Sequence, residues 1–93
     1  MPSVRVSINQ DVRFITQDEG AVLLHLQRGR YQSLNGTATA IWNEINGGAT
    51  SEDVATRLCA RYPAVPRERI ENEVQAFLAQ LESKGLVTLE PQR

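Results

Sequence analysis

The stretch GRYQSLNGTATAIW, residues 29–42, determines how the chain is organised. Arg30–Leu34 predicts a short strand, and Asn35-Gly36 ends it because asparagine and glycine favour turns. An apolar helix follows directly. No side chain in the stretch is typical of a catalytic group, so it predicts a strand edge beside a helix rather than a reactive site.

The length and charge of the chain limit what it can be. Its 93 residues predict a single domain, residues 1–93, because separate cores usually need roughly 50 residues or more each. The 41% hydrophobic content suits a globular fold whose thin core leaves little room for an enclosed active site. The 10 basic and 11 acidic residues leave a net charge of −1, unlike the basic surface of proteins that bind phosphate backbones.

The first third of the chain predicts β-structure. Apolar and polar residues alternate in Val4–Ile8 and, more loosely, in Val12–Thr16, and Ala21–Gln27, which lies between turn residues, is the strongest strand candidate. Arg28-Gly29 is short enough to join the last of these to Arg30–Leu34 as a hairpin. We therefore predict a small antiparallel sheet of three strands with Arg30–Leu34 at an edge. Whether residues 1–10 join this sheet is left open.

Two shorter helices follow the predicted sheet. The Asn-Gly-Thr run at residues 35–37 opens the first, and the Asn-Gly-Gly run at residues 46–48 ends it, since both residue types tolerate a left-handed C-cap. Thr50 and Asp53 are placed to form a capping box at the start of the second helix. That helix is predicted to stop before Tyr62.

The third helix has the clearest pattern. Pro66 suits its first turn, and Gly85 follows Lys84 as a C-cap. An apolar stripe recurs at the spacing of a 3.6-residue helix, at Ile70, Val74, Phe77, Leu78 and Leu81. Residues 86–90 predict a last extended segment. The order predicts an α+β, winged-helix-like fold, with a small three-stranded antiparallel sheet followed by three helices.

Catalytic and metal sites find little support in the sequence. His25 lies between leucines of a predicted strand, with no second histidine or cysteine at metal-ligand spacing, so we interpret it as a structural histidine. Cys59 falls on the second helix and is interpreted as a small core residue. Glu71 and Glu73 lie about 200° apart around the third helix and do not form a carboxylate pair. We expect no enzyme activity, no metal and no cofactor.

A DNA-binding protein and a peptide-binding protein are the two functional classes left in competition. The third helix carries Arg67, Arg69 and Lys84 against four glutamates, and phosphates repel a helix of net negative charge. An edge strand at Arg30–Leu34 offers unpaired N–H and C=O groups, to which an extended peptide can add. From spacing alone, the N-terminal segment or a second copy of the chain covers that strand equally well.

An ordered set of positions resembles the PqqD-like family over residues 12–88. The family pattern is a strand, G-x-Y-x-x-L-N, an apolar helix with tryptophan, a glycine-containing turn, and a last helix ending in v-x-x-F-L-x-x-L-x-x-x-G-L. The matching residues are Gly29, Tyr31, Leu34, Asn35, Ile41, Trp42, Gly48, Thr50, Val54, Val74, Phe77, Leu78, Leu81, Gly85 and Leu86. Glu73 departs from the pattern, because many members have an aspartate before this valine.

The resemblance implies a module that recognises the precursors of ribosomally made, modified peptides. Members of the family hold the leader part of the precursor as an added strand, between the third strand and the third helix. The stretch at residues 29–42 looks most like the lasso-peptide partner, which works with a separate leader peptidase and an ATP-dependent cyclase. The alternatives are a pyrroloquinoline quinone precursor-peptide chaperone and a small winged-helix DNA-binding regulator.

The resemblance also implies a set of site residues and partners for this chain. The predicted peptide-binding residues are Arg30, Tyr31, Gln32, Ser33, Leu34, Arg69, Glu73, Val74, Phe77, Gln80 and Leu81. We expect Phe77 and Leu81 to be shared between the core and the groove. The expected protein is a monomer or weak dimer, with no nucleic-acid or membrane partner. It is expected in the cytoplasm, because the sequence lacks a signal peptide and any run of ~18 apolar residues.

Overall fold

The chain forms a strand-rich first part, then three helices and a last strand. The structure is a computed structural model and describes residues 3–18, 20–46 and 50–91. In chain order, the elements are β1 (Val4–Ile8), β2 (Val12–Gln17), β3 (Gly20–His25), β4 (Arg30–Leu34), α1 (Gly36–Ile45), α2 (Ser51–Arg61), α3 (Arg67–Ser83) and β5 (Val87–Pro91). The predicted α+β class, a three-stranded antiparallel sheet followed by three helices, is confirmed. The finer likeness to a winged helix stays a prediction.

The three-stranded sheet has the order β2-β3-β4, which leaves β4 at one edge. In the middle strand, Leu23 pairs with Phe14 on β2 and with Gln32 on β4. β3 ends at His25, earlier than predicted, because residues 26–29 form the hairpin loop. Gly29 has a φ of 65° in this loop and donates its N–H to the His25 carbonyl oxygen at 2.9 Å.

Gly20 allows β3 to approach the end of β4 closely. Its φ of 153° is rarely adopted by other residues, and a Cβ atom here would collide with the carbonyl oxygen of Leu34. Leu34 is the last residue of β4 and pairs with Ala21. Glycine at this position therefore lets the end of β4, from which α1 departs, lie against the start of β3.

The first and last strands form a separate two-stranded ribbon. β1 pairs antiparallel with β5, and Val4 lies opposite Pro91. Val4 also donates its N–H to the Ser51 hydroxyl at 2.9 Å, which attaches the ribbon to α2. The described part of the N-terminal segment therefore pairs with β5 and does not cover β4. The last extended segment predicted from the sequence is confirmed as β5.

Both shorter helices begin at their predicted caps. The side chain of Asn35 accepts the N–H of the third residue of α1 at 2.8 Å. At α2, the Thr50 hydroxyl accepts the Asp53 N–H at 3.2 Å, and the Asp53 carboxylate accepts the Thr50 N–H at 3.5 Å, so the predicted capping box is confirmed. Asn46 is the C-cap of α1. The rest of the predicted stop, residues 47–48, lies outside the described residues.

α3 supplies much of the core. It runs over Arg67–Ser83, one residue shorter than predicted at each end, because Pro66 and Lys84 are its caps. The buried residues of α3 are those of the predicted stripe: Ile70, Val74, Phe77, Leu78 and Leu81. Burial of each such large apolar side chain contributes about 1.5–3 kcal/mol. The helix packs against α2 and β5, and part of its surface lines the site described next.

Candidate functional site

The outer edge of β4 has no strand partner among the described residues. The Leu26 N–H donates to the Asp11 carbonyl oxygen at 3.0 Å, which marks a hydrogen-bonded position at the end of the β2–β3 ladder. Such positions alternate in antiparallel strands, so even-numbered residues of β3 bond to β2 and odd-numbered ones bond to β4. On β4, the backbone groups of Tyr31 and Ser33 consequently face the free edge.

A groove of about 360 Å³ runs between β4 and α3. Its walls come from β4, from the first half of α1 and from the middle of α3. The lining residues are Gln32, Ser33, Asn35, Thr37, Ala38, Ile41, Glu73, Ala76, Phe77 and Gln80. Apolar surface from Ile41 and Phe77 is therefore combined with polar groups from β4 and the exposed side of α3.

A second, smaller cavity of about 170 Å³ continues the groove toward the start of α3. It shares Thr37, Ile41 and Glu73 with the groove as lining residues, so the two spaces are adjacent. The remaining lining residues are Leu58, Tyr62, Val65, Arg69 and Ile70. The combined space offers room for more than one apolar side chain of a bound molecule.

Two ion pairs lie on the exposed side of α3 near this space. Arg67 Nε donates to Glu71 at 2.9 Å, and this hydrogen bond raises the pKa of the Arg67 guanidinium. Arg69 Nε lies 3.6 Å from a Glu73 carboxylate oxygen. Both pairs are well exposed, and such pairs typically contribute about 0–1 kcal/mol. The arginines of α3 are therefore already partnered within the chain.

The structure brings part of the predicted site together. The predicted residues that line the groove are Gln32, Ser33, Glu73, Phe77 and Gln80, while Arg69 lines the adjoining cavity. Phe77 is 8% exposed, consistent with a side chain shared between the core and the groove. Whether these residues contact a bound peptide stays a prediction.

Other predicted residues lie inside the core. Val74 and Leu81 have no exposed surface, and Leu34 is also buried. The expectation that Leu81 is shared with the groove is therefore wrong for this structure, because Leu81 packs entirely within the core. All three side chains are placed to support the groove residues rather than to line the groove.

Tyr31 also departs from the expected geometry. Side chains alternate between the two faces of a strand, and the neighbouring Gln32 faces the helices. The Tyr31 side chain is therefore on the outer face of the sheet, where it is 64% exposed. With Gly29, Arg30 and Lys84 it lines a separate shallow depression. Only the backbone of Tyr31 is available to the groove edge.

Sequence reasoning missed the contribution of α1. Asn35, Thr37, Ala38 and Ile41 line the groove, as does Ala76 on α3. A usable signal was present, since a single residue separates β4 from α1. A helix that starts so close to the end of a strand necessarily places its first turns beside that strand.

The residues weighed for chemistry have structural roles. His25 is 3% exposed, and its ring nitrogens lie 3.3 Å from the Asn9 side chain and from the Arg28 N–H, so the prediction of a structural histidine is confirmed. Cys59 is half-buried on α2 and packs against the core. Within the described ranges, no group of three or more potential ligands is arranged to hold a metal ion. None of the described helices has the length and apolar character needed to cross a membrane.

Comparison with known proteins gives a consistent result. The sequence profile of a family described as coenzyme PQQ synthesis protein D (PqqD) matches residues 20–87. The structure of TbiB1 in complex with the TbiA(beta) leader peptide is 33% identical, with a TM-score of 0.80 over 87% of this chain and 93% of that chain. A lasso peptide synthetase B1 complexed with the leader peptide is 29% identical, with a TM-score of 0.80 over 89% and 96%. No curated protein is similar enough to count as a match.

Proposed function

The chain belongs to the PqqD family, and on this basis we propose that it binds the leader segment of a ribosomally synthesised precursor peptide. The leader adds as a strand to β4, in the groove between β4 and α3. The observation that carries the proposal is the free edge itself, where the backbone groups of Tyr31 and Ser33 adjoin a partly apolar groove.

The groove supplies both kinds of contact that strand addition needs. Backbone hydrogen bonds along β4 provide affinity, and alternate leader side chains point toward Phe77 and Ile41. An aromatic or proline residue of the leader fills such a space with little loss of conformational freedom. Within the described residues, Arg28 and Arg30 make no ion pair, so they are available to leader carboxylates at up to ~1 kcal/mol each.

A lasso-peptide precursor is the class of partner that we propose. The description of the matching family refers to pyrroloquinoline quinone (PQQ) synthesis. A chaperone for the precursor peptide of that pathway is therefore the alternative. The two similar structures are both leader-peptide complexes, one of them of a lasso peptide synthetase B1, and each resembles this chain over nearly its whole length. That similarity favours the lasso class.

In this role the protein is an adaptor without catalytic activity of its own. It presents the leader to a separate leader peptidase and an ATP-dependent cyclase, and we place this activity in the cytoplasm. The test is reconstitution from purified proteins. The peptidase should cleave the precursor at least ten-fold faster with this chain present, and the chain alone should leave the precursor intact.

Titration with a synthetic leader tests binding directly. The probes are the TbiA(beta) leader and, if a precursor gene neighbours the gene for this chain, the leader that it encodes, with a scrambled peptide as the control. We expect the fluorescence anisotropy of a labelled leader to rise to saturation as the protein is added, and that of the scrambled peptide to stay unchanged. Hydrogen exchange at the Tyr31 and Ser33 amides should slow in the complex, because strand addition pairs those groups.

The DNA-binding alternative is tested in the same assay at matched salt. The charge of α3 argues against DNA binding, because Arg67 and Arg69 are paired with glutamates. Tight binding to duplex DNA with a steep salt dependence, and no affinity for either leader, would reject the proposed function.

A further inference from the structure

Gln32 occupies part of the free β4 edge. Its side-chain Nε2 donates to the carbonyl oxygen of Ser33 at 3.1 Å. That carbonyl is one of the backbone groups that face away from β3, so an added strand would meet it. In the unliganded chain, the carboxamide thus takes the place of an incoming N–H group.

The other end of the same carboxamide is unsatisfied. Gln32 Oε1 is buried and has no hydrogen-bond partner among the described residues. A buried acceptor without a donor is unfavourable. The side chain is nevertheless held in this position, at the wall of the groove, where release would let the carboxamide find new partners.

We propose that the Gln32 carboxamide is a removable plug on the β4 edge, which limits self-association of the chain and is displaced by an incoming leader. This inference rests on the proposed function in one respect only, namely that the strand that displaces Gln32 is a leader peptide. On displacement, a leader N–H replaces Nε2 at the Ser33 carbonyl, and the freed carboxamide is hydrated by solvent at the groove mouth.

The occupant that the plug discourages is a second copy of this chain. A two-fold antiparallel pairing of two β4 edges, centred on Gln32, would set Tyr31 of each copy opposite Ser33 of the other. Both Ser33 carbonyls would then have to accept a hydrogen bond from the other copy, and each is already bonded to the Gln32 carboxamide of its own chain. A leader strand meets only one plugged carbonyl among the N–H and C=O groups of Tyr31 and Ser33. The plug therefore opposes self-pairing more strongly than it opposes leader addition.

The test compares Gln32→Met with Gln80→Met. Both changes replace a carboxamide in the same groove with an apolar side chain of similar length, but only Gln32 bonds to the β4 backbone. Analytical ultracentrifugation without leader measures self-association. Removal of two competing hydrogen bonds should strengthen dimerisation of Gln32→Met by about ten-fold or more, while Gln80→Met stays within about two-fold of the parent chain.

Leader affinity provides the second measurement. Gln32→Met should bind the TbiA(beta) leader, or the leader of a neighbouring precursor where one is encoded, about three-fold more tightly, because one competing bond is removed. In the parent chain, exchange of the Gln32 side-chain amide protons should accelerate when leader is added. Weaker leader binding by Gln32→Met with unchanged self-association would overturn the plug, since Gln32 would then be a leader contact.

The two proposals fail separately. If no leader binds the parent chain, the proposed function is wrong, but stronger dimerisation of Gln32→Met still supports the plug. If leader binds and neither dimerisation nor affinity changes in Gln32→Met, the plug is wrong and the proposed function stands.

Discussion

β1 and β4 are five-residue strands with one strand partner each, yet the second edge of β1 is bound to the start of α2, whereas the second edge of β4 is free among the described residues. β1 pairs with β5, from the other end of the chain, and is bound to α2 through Ser51. β4 pairs with β3 and has no second strand partner among the described residues. The contrast indicates that the occupancy of an edge depends on distant parts of the chain. The local sequence of a strand therefore does not show whether its second edge is covered by its own chain or is free to bind another chain.

The largest expected effect concerns the groove beside the free edge. Phe77→Ala should lower the free energy of unfolding by about 3–5 kcal/mol, because Phe77 belongs to the core as well as to the groove. Urea denaturation measures this loss. Circular dichroism must show a folded variant before its leader affinity is interpreted.

The milder Phe77→Leu separates the two roles of the side chain, with Leu78→Val as its control. Leu78 is buried on the same helix but does not line the groove. Both variants should lose stability, and only Phe77→Leu should bind leader more weakly. Equal leader affinity in the two variants would mean that the groove beside β4 is not the binding surface.

The edge of β1 that pairs with β5 is tested by Ser7→Pro. Ser7 lies opposite Thr88, and the bond from Asn9 N–H to the Leu86 carbonyl places odd-numbered β1 residues in the β5 ladder. Proline removes that ladder bond and leaves an acceptor unpaired, so we expect a loss of about 1–3 kcal/mol in unfolding free energy. Leader affinity of the folded fraction should not change. Unfolding by urea and anisotropy titration measure the two quantities.

Ser33→Pro is the matched change at the free edge. The Ser33 N–H faces away from β3, where proline is tolerated, so the unfolding free energy should change by less than about 0.5 kcal/mol. Leader binding should weaken ten-fold or more, because one bond to the added strand is lost and the proline ring obstructs it. A stability loss as large as that of Ser7→Pro would show that the assigned edge is wrong.

The smallest expected effect is at the rim of the groove. Glu73→Gln removes the ion pair with Arg69, whereas Glu71→Gln removes the pair with Arg67, which does not line the groove. Each change should alter stability by less than about 0.5 kcal/mol, since both pairs are exposed. Glu73→Gln should weaken leader binding by about two- to five-fold in an anisotropy titration. Unchanged affinity would remove Glu73 from the proposed site.

Local patterns predicted the helices well. The stripe of α3 and the capping box of Thr50 and Asp53 were both found, because the residues involved lie within a few turns of one another. Gly85 was likewise recognised as a helix stop, and its φ of 74° is the left-handed conformation that favours glycine. These features depend on backbone geometry that the neighbouring residues alone determine.

The sequence could not predict which edges and surfaces are occupied. The pairing of Val4 with Pro91 joins the two ends of the described chain, and no local signal links them. The full burial of Leu81 depends on how closely α3 packs against its neighbours, and helical periodicity identifies only the face. Tyr31 was assigned to the groove because β4 was assigned to it. Side chains alternate between the two faces of a strand, and the Tyr31 side chain lies on the face away from the groove.

The β1–β5 ribbon has a practical consequence for engineering. Because Val4 lies opposite Pro91, the two ends of the described chain are neighbours in space. A short linker between them would give a circular permutant, with new termini opened in the loop between α2 and α3. A pair of reporters attached close to Val4 and to Pro91 in the unpermuted chain would likewise remain close together.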